Sequence, residues 1–348
     1  MKPQKRIDNP KKIDRRLIEN QLKNGDNVIV QFSETIYSDR MLSKLNKLCS
    51  KYDKNLSIRF YGHYSKVFDC NVLRKIPNVT SLGIDCINKV ENLEYITHLE
   101  NLDNLSLGVY ELKETEILNF YNLKKLSKLS IGETHSKAVD LSFIKEFKDL
   151  ESLYVDGMKK GLENVESLLN LKKLTFRGVK LDNLNFLSDL KKLEELNLYY
   201  GSYKNLDALS TLKQLKSIVF SRVRQIPDFD FLNALESLEK IEFEGMSKME
   251  SIPDLSQLTQ LKKIHIHNNL RLQNIKSVGE IPNLKLLQLS FAENSTSSER
   301  KNLISQSVDI VLKSESIEYT NIMHWTDELT TKKLTKKGIK TWSWDIKI

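Results

Sequence analysis

What the chain lacks narrows the reading first. It has three cysteines in 348 residues, and Cys49, Cys70 and Cys86 are scattered and odd in number. They form neither a disulfide framework nor a metal-knuckle spacing, so reduced thiols are expected. No apolar run is long enough to span a bilayer. The basic start, Met1-Lys-Pro-Gln-Lys-Arg6, lacks the apolar stretch of a secretory signal, which makes a cytoplasmic protein the default expectation. A glycine-rich phosphate loop, a Gly-x-Ser-x-Gly elbow and a kinase signature are all missing. His63, His98, His135 and His324 stand isolated in sequence. Neither an enzyme nor a cofactor is expected.

The formal net charge is +8, which invites a nucleic-acid reading until its location is read. Residues 1–16 hold seven basic and two acidic side chains, and residues 332–348 hold six and one, so each end carries five net positive charges. The remainder is left at −2. A duplex-binding protein would carry a basic stripe on its main face. Solvated basic tails are the expectation, and nucleic acid is not expected as a partner.

What the chain does have is a hydrophobic ladder. It reads Leu102-x-x-Leu105-x-Leu107, then Leu126-x-x-Leu129-x-Ile131, and continues in the same form to Leu284-x-x-Leu287-x-Leu289. The last strand residues of the units, from Phe60 and Ile84 to Ile266 and Leu289, are spaced 21 to 24 residues apart. Such a period marks a solenoid, in which each unit is one supersecondary element that must share its core with its neighbours. Alternation around Leu-x-Leu gives a short strand. Upstream, Leu184, Leu187, Leu190 and Leu193 recur every third residue, which suits tight helical turns and a mostly 3₁₀ return.

The ends differ from the repeat. Val28–Phe32 and Leu56–Phe60 read as strands, and Asp39–Tyr52 between them reads as a helix, so residues 1–55 form a basic tail and an α/β cap. Residues 56–291 hold ten or eleven units. Residues 292–348 read as a C-terminal cap, with a strand at Val308–Leu312 and with Trp325, Trp342 and Trp344 sealing the last repeat.

On these motifs the chain resembles the leucine-rich repeat family, in its short-repeat internalin-like and phosphatase-regulator-like subtype. Units such as Asn183-Leu-Asn-Phe-Leu-Ser-Asp-Leu-Lys-Lys-Leu-Glu-Glu-Leu-Asn-Leu198 carry the likeness. The resemblance implies an α/β, right-handed horseshoe with a concave parallel β-sheet and a non-enzymatic, protein-binding role. One departure is plain. Where family repeats place asparagine three residues after the last strand leucine, this chain has Tyr110, Thr134, Met158, Val179, Gly201, Val223, Met246, Asn269 and Ala292. Only Asn269 fits, so backbone bonds or water must satisfy the loops elsewhere.

Residues flanking the inward pair of each strand should form the concave face. Between Leu107 and Ile131 they are small, which suggests a shallow or empty zone. From Tyr154 onward they turn aromatic and charged. Tyr154, Asp156, Arg177, Asn197, Tyr199, Tyr200, Tyr203, Glu242, Glu244, His265 and His267 are the expected partner-binding residues, because tyrosine and arginine dominate interfaces. In-register pairing would also set Glu242 beside His265 and Glu244 beside His267, a set that could hold zinc, but one strand pair offers poor tetrahedral geometry and no metal is expected. The bland alternative is ordinary polar positions with each histidine paired to its glutamate. The expected partner is another protein, with a toxin domain neutralised by a bacterial immunity protein as the favoured form. A regulatory scaffold docking an enzyme such as a phosphatase, and an internalin-like adhesion module, are the alternatives.

Overall fold

In the computed structural model, the described residues are 4–343 except 34–35, 53–54, 64, 113–115, 133, 136–138, 158–159, 227 and 292–295. The expected roles of Met158, Ala292 and Trp344 lie outside them. The chain divides into two compact units, residues 1–171 and 172–348.

The first unit carries strands β1 (Gln4–Asp8), β2 (Asn27–Phe32), β3 (Leu56–Tyr61), β4 (Ser81–Ile87), β5 (Asn104–Val109), β6 (Lys128–Ile131) and β7 (Ser152–Asp156). Each pairs in parallel with the next. Helices α1 (Arg15–Lys23) and α2 (Asp39–Tyr52) complete the cap. Asp14 starts α1 by accepting the Leu17 amide at 3.1 Å, and Ile18 and Leu22 bury its inner face. In α2, Met41, Leu42, Leu45, Leu48 and Cys49 fall on one buried stripe, the 3.6-residue pattern of a core-facing helix.

The second unit carries β8 (Lys173–Arg177), β9 (Glu195–Tyr199), β10 (Ser217–Ser221), β11 (Lys240–Glu244), β12 (Lys263–His267), β13 (Leu286–Ser290), β14 (Tyr319–Thr320) and β15 (Lys340–Thr341), again paired in parallel in sequence order. Two helices, α3 (Ser297–Lys313) and α4 (Glu328–Lys336), follow the last repeat strand.

Within both units the strand entries and exits of the repeat are tied by backbone hydrogen bonds. At the entry to a strand, one carbonyl takes two successive amides of the next repeat. Lys172 O accepts from Glu194 N and Glu195 N, and Glu194 O accepts from Lys216 N and Ser217 N. At the exit, the amide just past the strand donates forward, as in Gly178 N to Tyr199 O at 2.8 Å and Arg222 N to Glu244 O at 2.7 Å. The return segment closes i→i−3 bonds, Leu187 N to Leu184 O and Leu190 N to Leu187 O, which is the expected 3₁₀ return. Asn269 is used as the sequence suggested: its amide oxygen accepts Met246 N at 2.7 Å and its nitrogen donates to Phe243 O at 2.9 Å. Asn321 repeats the device in the cap, bonding the Leu289 backbone on both sides.

The ends differ from the sequence reading in two ways. Residues 4–8 and 15–23 are a strand and a helix, so the N-terminal positive charge is not a solvated tail. β1 and β15 each have one unpaired edge, and Lys5, Arg6 and Lys340 sit there. Lysine on an exposed edge opposes strand addition by another chain. The strand expected at 308–312 is helix instead. Leu303, Ser307, Ile310 and Val311 are its buried positions, a helical spacing that a short apolar run conceals. Of the tryptophans, Trp342 is buried, whereas Trp325 is exposed and packs its edge on Phe291 with ring centroids 5.2 Å apart.

In the second unit, Phe220 is fully buried between Phe243, stacked at 5.8 Å, and Phe229 at 5.5 Å. Phe220→Ala leaves a cavity that neighbouring repeats cannot close, and should cost about 3–5 kcal/mol. Exposed Tyr121→Ala should stay within about 0.5 kcal/mol. Urea unfolding of the two variants checks both.

Candidate functional site

The exposed sheet face of each unit is built from residues on either side of the inward pair. In the first unit its left part is a polar chain. Arg59 Nε donates to Asp85 Oδ1 at 2.8 Å and Arg59 Nη1 to Gln31 Oε1 at 3.1 Å, while the guanidinium lies 4.5 Å over the Tyr61 ring. Tyr61 and Gln31 both donate to Asp8. Burial works against the Arg59 charge, but Asp85 more than offsets it and holds the guanidinium above its ordinary value.

Beyond this chain the small residues open a hollow of about 610 Å³. Ser106, Gly108, Ser130 and Gly132 line it together with Asp85, Cys86, Tyr110, Tyr154 and Asp156. A Cβ at Gly132 would stand 2.8 Å from the Gly108 backbone, so the close approach of these two strand ends needs glycine. The zone that the sequence marked as shallow or empty thus holds a recess. Two of the expected residues, Tyr154 and Asp156, belong to it, and Tyr154 Oη donates to Asp156 Oδ2 at 3.2 Å. Asp85, Cys86 and Tyr110 were not among the expected site residues. Their signal was present in the glycine and serine positions, which leave room for whatever surrounds them.

In the second unit the face is closely paired. Asn197 Nδ2 donates to Thr175 Oγ1 at 3.1 Å, and Ser221 Oγ to Glu244 Oε2 at 2.8 Å. Burial, with Glu242, Glu244 and Glu195 nearby, pushes the Tyr199 phenol up. Tyr200 has two guanidiniums over its ring, Arg177 at 5.1 Å and Arg222 at 5.4 Å from the ring centre. Tyr203 does not join them. It is fully buried in a two-residue strand, Ser202–Tyr203, that pairs with Lys180–Leu181. The chain has already turned off the sheet there, and Gly201 makes room, since a Cβ on it would meet the Tyr203 ring at 2.7 Å.

The turn explains this. The residue two past the last inward residue adopts the left-handed conformation in repeat after repeat: Gly62, Gly157, Gly178 and Gly245, but also Cys86, Tyr200, Arg222 and Asn268, with φ between 53° and 75°. Glycine fits that conformation freely and a bulky side chain does not. Tyr200 and Arg222 therefore keep their side chains against a local backbone cost. Strain of this kind gathers where a side chain is needed for function.

The strand pairing β11–β12 places Glu242 beside His265 and Glu244 beside His267, the register read from the sequence. Side-chain atoms of Glu242, His265 and His267 lie within 4.8 Å of one another, whereas Glu244 turns to Ser221. His267 Nδ1 is 2.7 Å from Ser290 Oγ, and the His265 ring packs at 5.6 Å on Trp342. Glu242 stands 3.7 Å from His265 Nδ1, a pairing that would favour an imidazolium. Burial prevails, aided by Lys240, His267 and Lys263, and pushes His265 down to about 3. The ring is neutral. Burial also lowers His267, against the pull of Glu242 and Glu244.

With this geometry in view, the comparisons with known proteins agree on the class. A family profile described as BspA type Leucine rich repeat region matches residues 159–273 in six copies. An internalin (inlF) from Listeria monocytogenes superposes with a TM-score of 0.55 at 18% identity, covering 91% of this chain and 79% of that one. Toll in the Toll–Spatzle complex of Drosophila gives 0.53 at 10% identity, covering 76% of this chain and 36% of that one. No curated protein sequence matches the chain. Residues 159–273 thus match a leucine-rich repeat family, and the fold is that of a leucine-rich repeat solenoid. Among the described residues no helix is long and apolar enough to cross a membrane.

If Tyr200 and Arg222 are kept for recognition, glycine there should not harm the fold. Tyr200→Gly and Arg222→Gly should leave stability unchanged or raise it by up to about 1 kcal/mol, backbone relief offsetting the freer unfolded chain. Thermal unfolding decides it, and a loss larger than that would make both residues structural.

Proposed function

We propose that this protein is a non-enzymatic binding module that holds another protein on its exposed sheet face. The hollow between Asp85 and Asp156 carries this reading. Its lining includes two carboxylates and two tyrosines, Tyr110 and Tyr154, and no lysine, arginine or histidine among the described residues. Arg59 offsets Asp85 from outside the lining, and Asp156 stands on the opposite wall beside Tyr154. A basic side chain from a partner, flanked by aromatic rings, is the group such a recess receives best. A large pocket framed by tyrosines is also where interface energy concentrates. That one structural neighbour, Toll, is described in complex with Spatzle supports a protein as the partner class.

The finer form of the proposal is a bacterial immunity protein that binds and neutralises a toxin. It demands that binding abolish the partner's activity, not merely accompany it.

The test is affinity capture from the native source with three baits: the natural chain, Asp156→Asn and Ser130→Trp, the last filling the hollow. One protein should be retained by the natural chain and lost from both variants, with all three baits sharing the same unfolding midpoint. A partner retained equally by all three would overturn the assignment of the hollow. For the finer form, the captured protein should be toxic when expressed alone and harmless when this chain is co-expressed; toxicity that persists would rule out immunity.

A further inference from the structure

We infer that Glu242, His265 and His267 form a divalent-cation site of the two-histidine, one-carboxylate type, suited to zinc. The site lies in the second unit and does not depend on the hollow of the first.

The strand pairing brings the ligands together. Glu242 and His265 are register partners on β11 and β12, and His267 is two residues further on the same side of β12. All three offer a ligand atom within 4.8 Å of the other two. Zinc held at about 2.1 Å sets tetrahedral ligand atoms about 3.4 Å apart, so side-chain rotations of roughly 1 Å complete the set. Three protein ligands leave the fourth position for water or for a group from a partner.

Two surroundings favour a metal over ordinary polar packing. His267 Nδ1 bonds Ser290 Oγ, which fixes the ring and leaves Nε2 as its metal-facing nitrogen. Outer contacts of this kind orient metal ligands and are part of the site. His265 is only 3% exposed and packs against the Trp342 ring, which holds its imidazole in place beside Glu242.

The competitor is Lys240, whose Nζ is 3.0 Å from Glu242 Oε2. Its side chain is one-third exposed, so it can swing into solvent when an ion takes its place. Lys263 adds positive charge nearby and weakens the site without blocking it. Both effects make a sharp prediction, because removing Lys240 must strengthen metal binding.

The experiment is calorimetric titration of zinc chloride into the untagged full chain after stripping with chelator. Cobalt absorption follows coordination in parallel. One equivalent should bind. Glu242→Gln and His267→Asn should each weaken binding by more than about tenfold, Ser290→Ala by about 10–100-fold, and Lys240→Met should tighten it. No saturable binding, or binding that all four variants leave unchanged, overturns the proposal. If the ligand variants fail to fold, Ser290→Ala and Lys240→Met still decide it: opposite shifts support the site, and no shift in either refutes it.

Discussion

The repeat strands β4 to β13 are four to seven residues long and could not persist alone. What holds it is the neighbouring repeat, through a shared carbonyl at the strand entry and a forward amide at the exit. Between those two hydrogen-bonded points the inward pairs, such as Leu196 with Leu198 and Ile218 with Phe220, are wholly buried. Backbone groups in such an interior must be paired, and the entry and exit bonds do this without side chains. The nearly absent asparagine ladder therefore costs the fold little. Asn269 and Asn321, which each bond a neighbouring backbone through both amide atoms, serve the last repeats and the C-terminal cap.

The same division frees the outward positions. Since the inward pair and the backbone carry the fold, the flanking residues can be small enough to open a recess, as at Ser130 and Gly132, or polar enough to gather ligands, as at Glu242 and His265. Where a left-handed residue ends the strand, as at Gly178, Tyr200 and Arg222, it sets how far the face extends before the chain turns away. That turn separates Tyr200, which stays on the surface, from Tyr203, which is buried three residues later.

Much of this was legible in the sequence, for identifiable reasons. The i, i+3, i+5 apolar pattern fixed strand positions and register because a one-residue slip would expose every inward leucine. Hence the Glu242–His265 pairing follows from the spacing of the ladder alone. Helix α2 was legible because five apolar residues fell on one stripe. The C-terminal helix α3 was not, because the short apolar run at 308–312 mimics a strand and conceals the helical spacing of its buried positions. Tyr203 was misplaced because its burial depends on a turn whose signal lay elsewhere, in Gly62, Gly157, Gly178 and Gly245 two residues past the last inward residue. The depth of the hollow was not legible because small residues describe a floor and say nothing of the walls. Charge misled in a similar way: the basic ends include helices α1 and α4 and edge strands β1 and β15, on which lysine opposes pairing with another chain.

An inward ladder that carries stability is separate from an outward face that is free for recognition. The most direct measurement of that separation is equilibrium urea unfolding of a chain carrying Tyr154→Ser, Asn197→Ser and Tyr199→Ser together. The expected loss is no more than about 2 kcal/mol with an unchanged dependence on urea, since none of these side chains belongs to the inward pairs. A loss as large as that from a single buried phenylalanine would contradict it, because the face would then be part of what holds the repeats together.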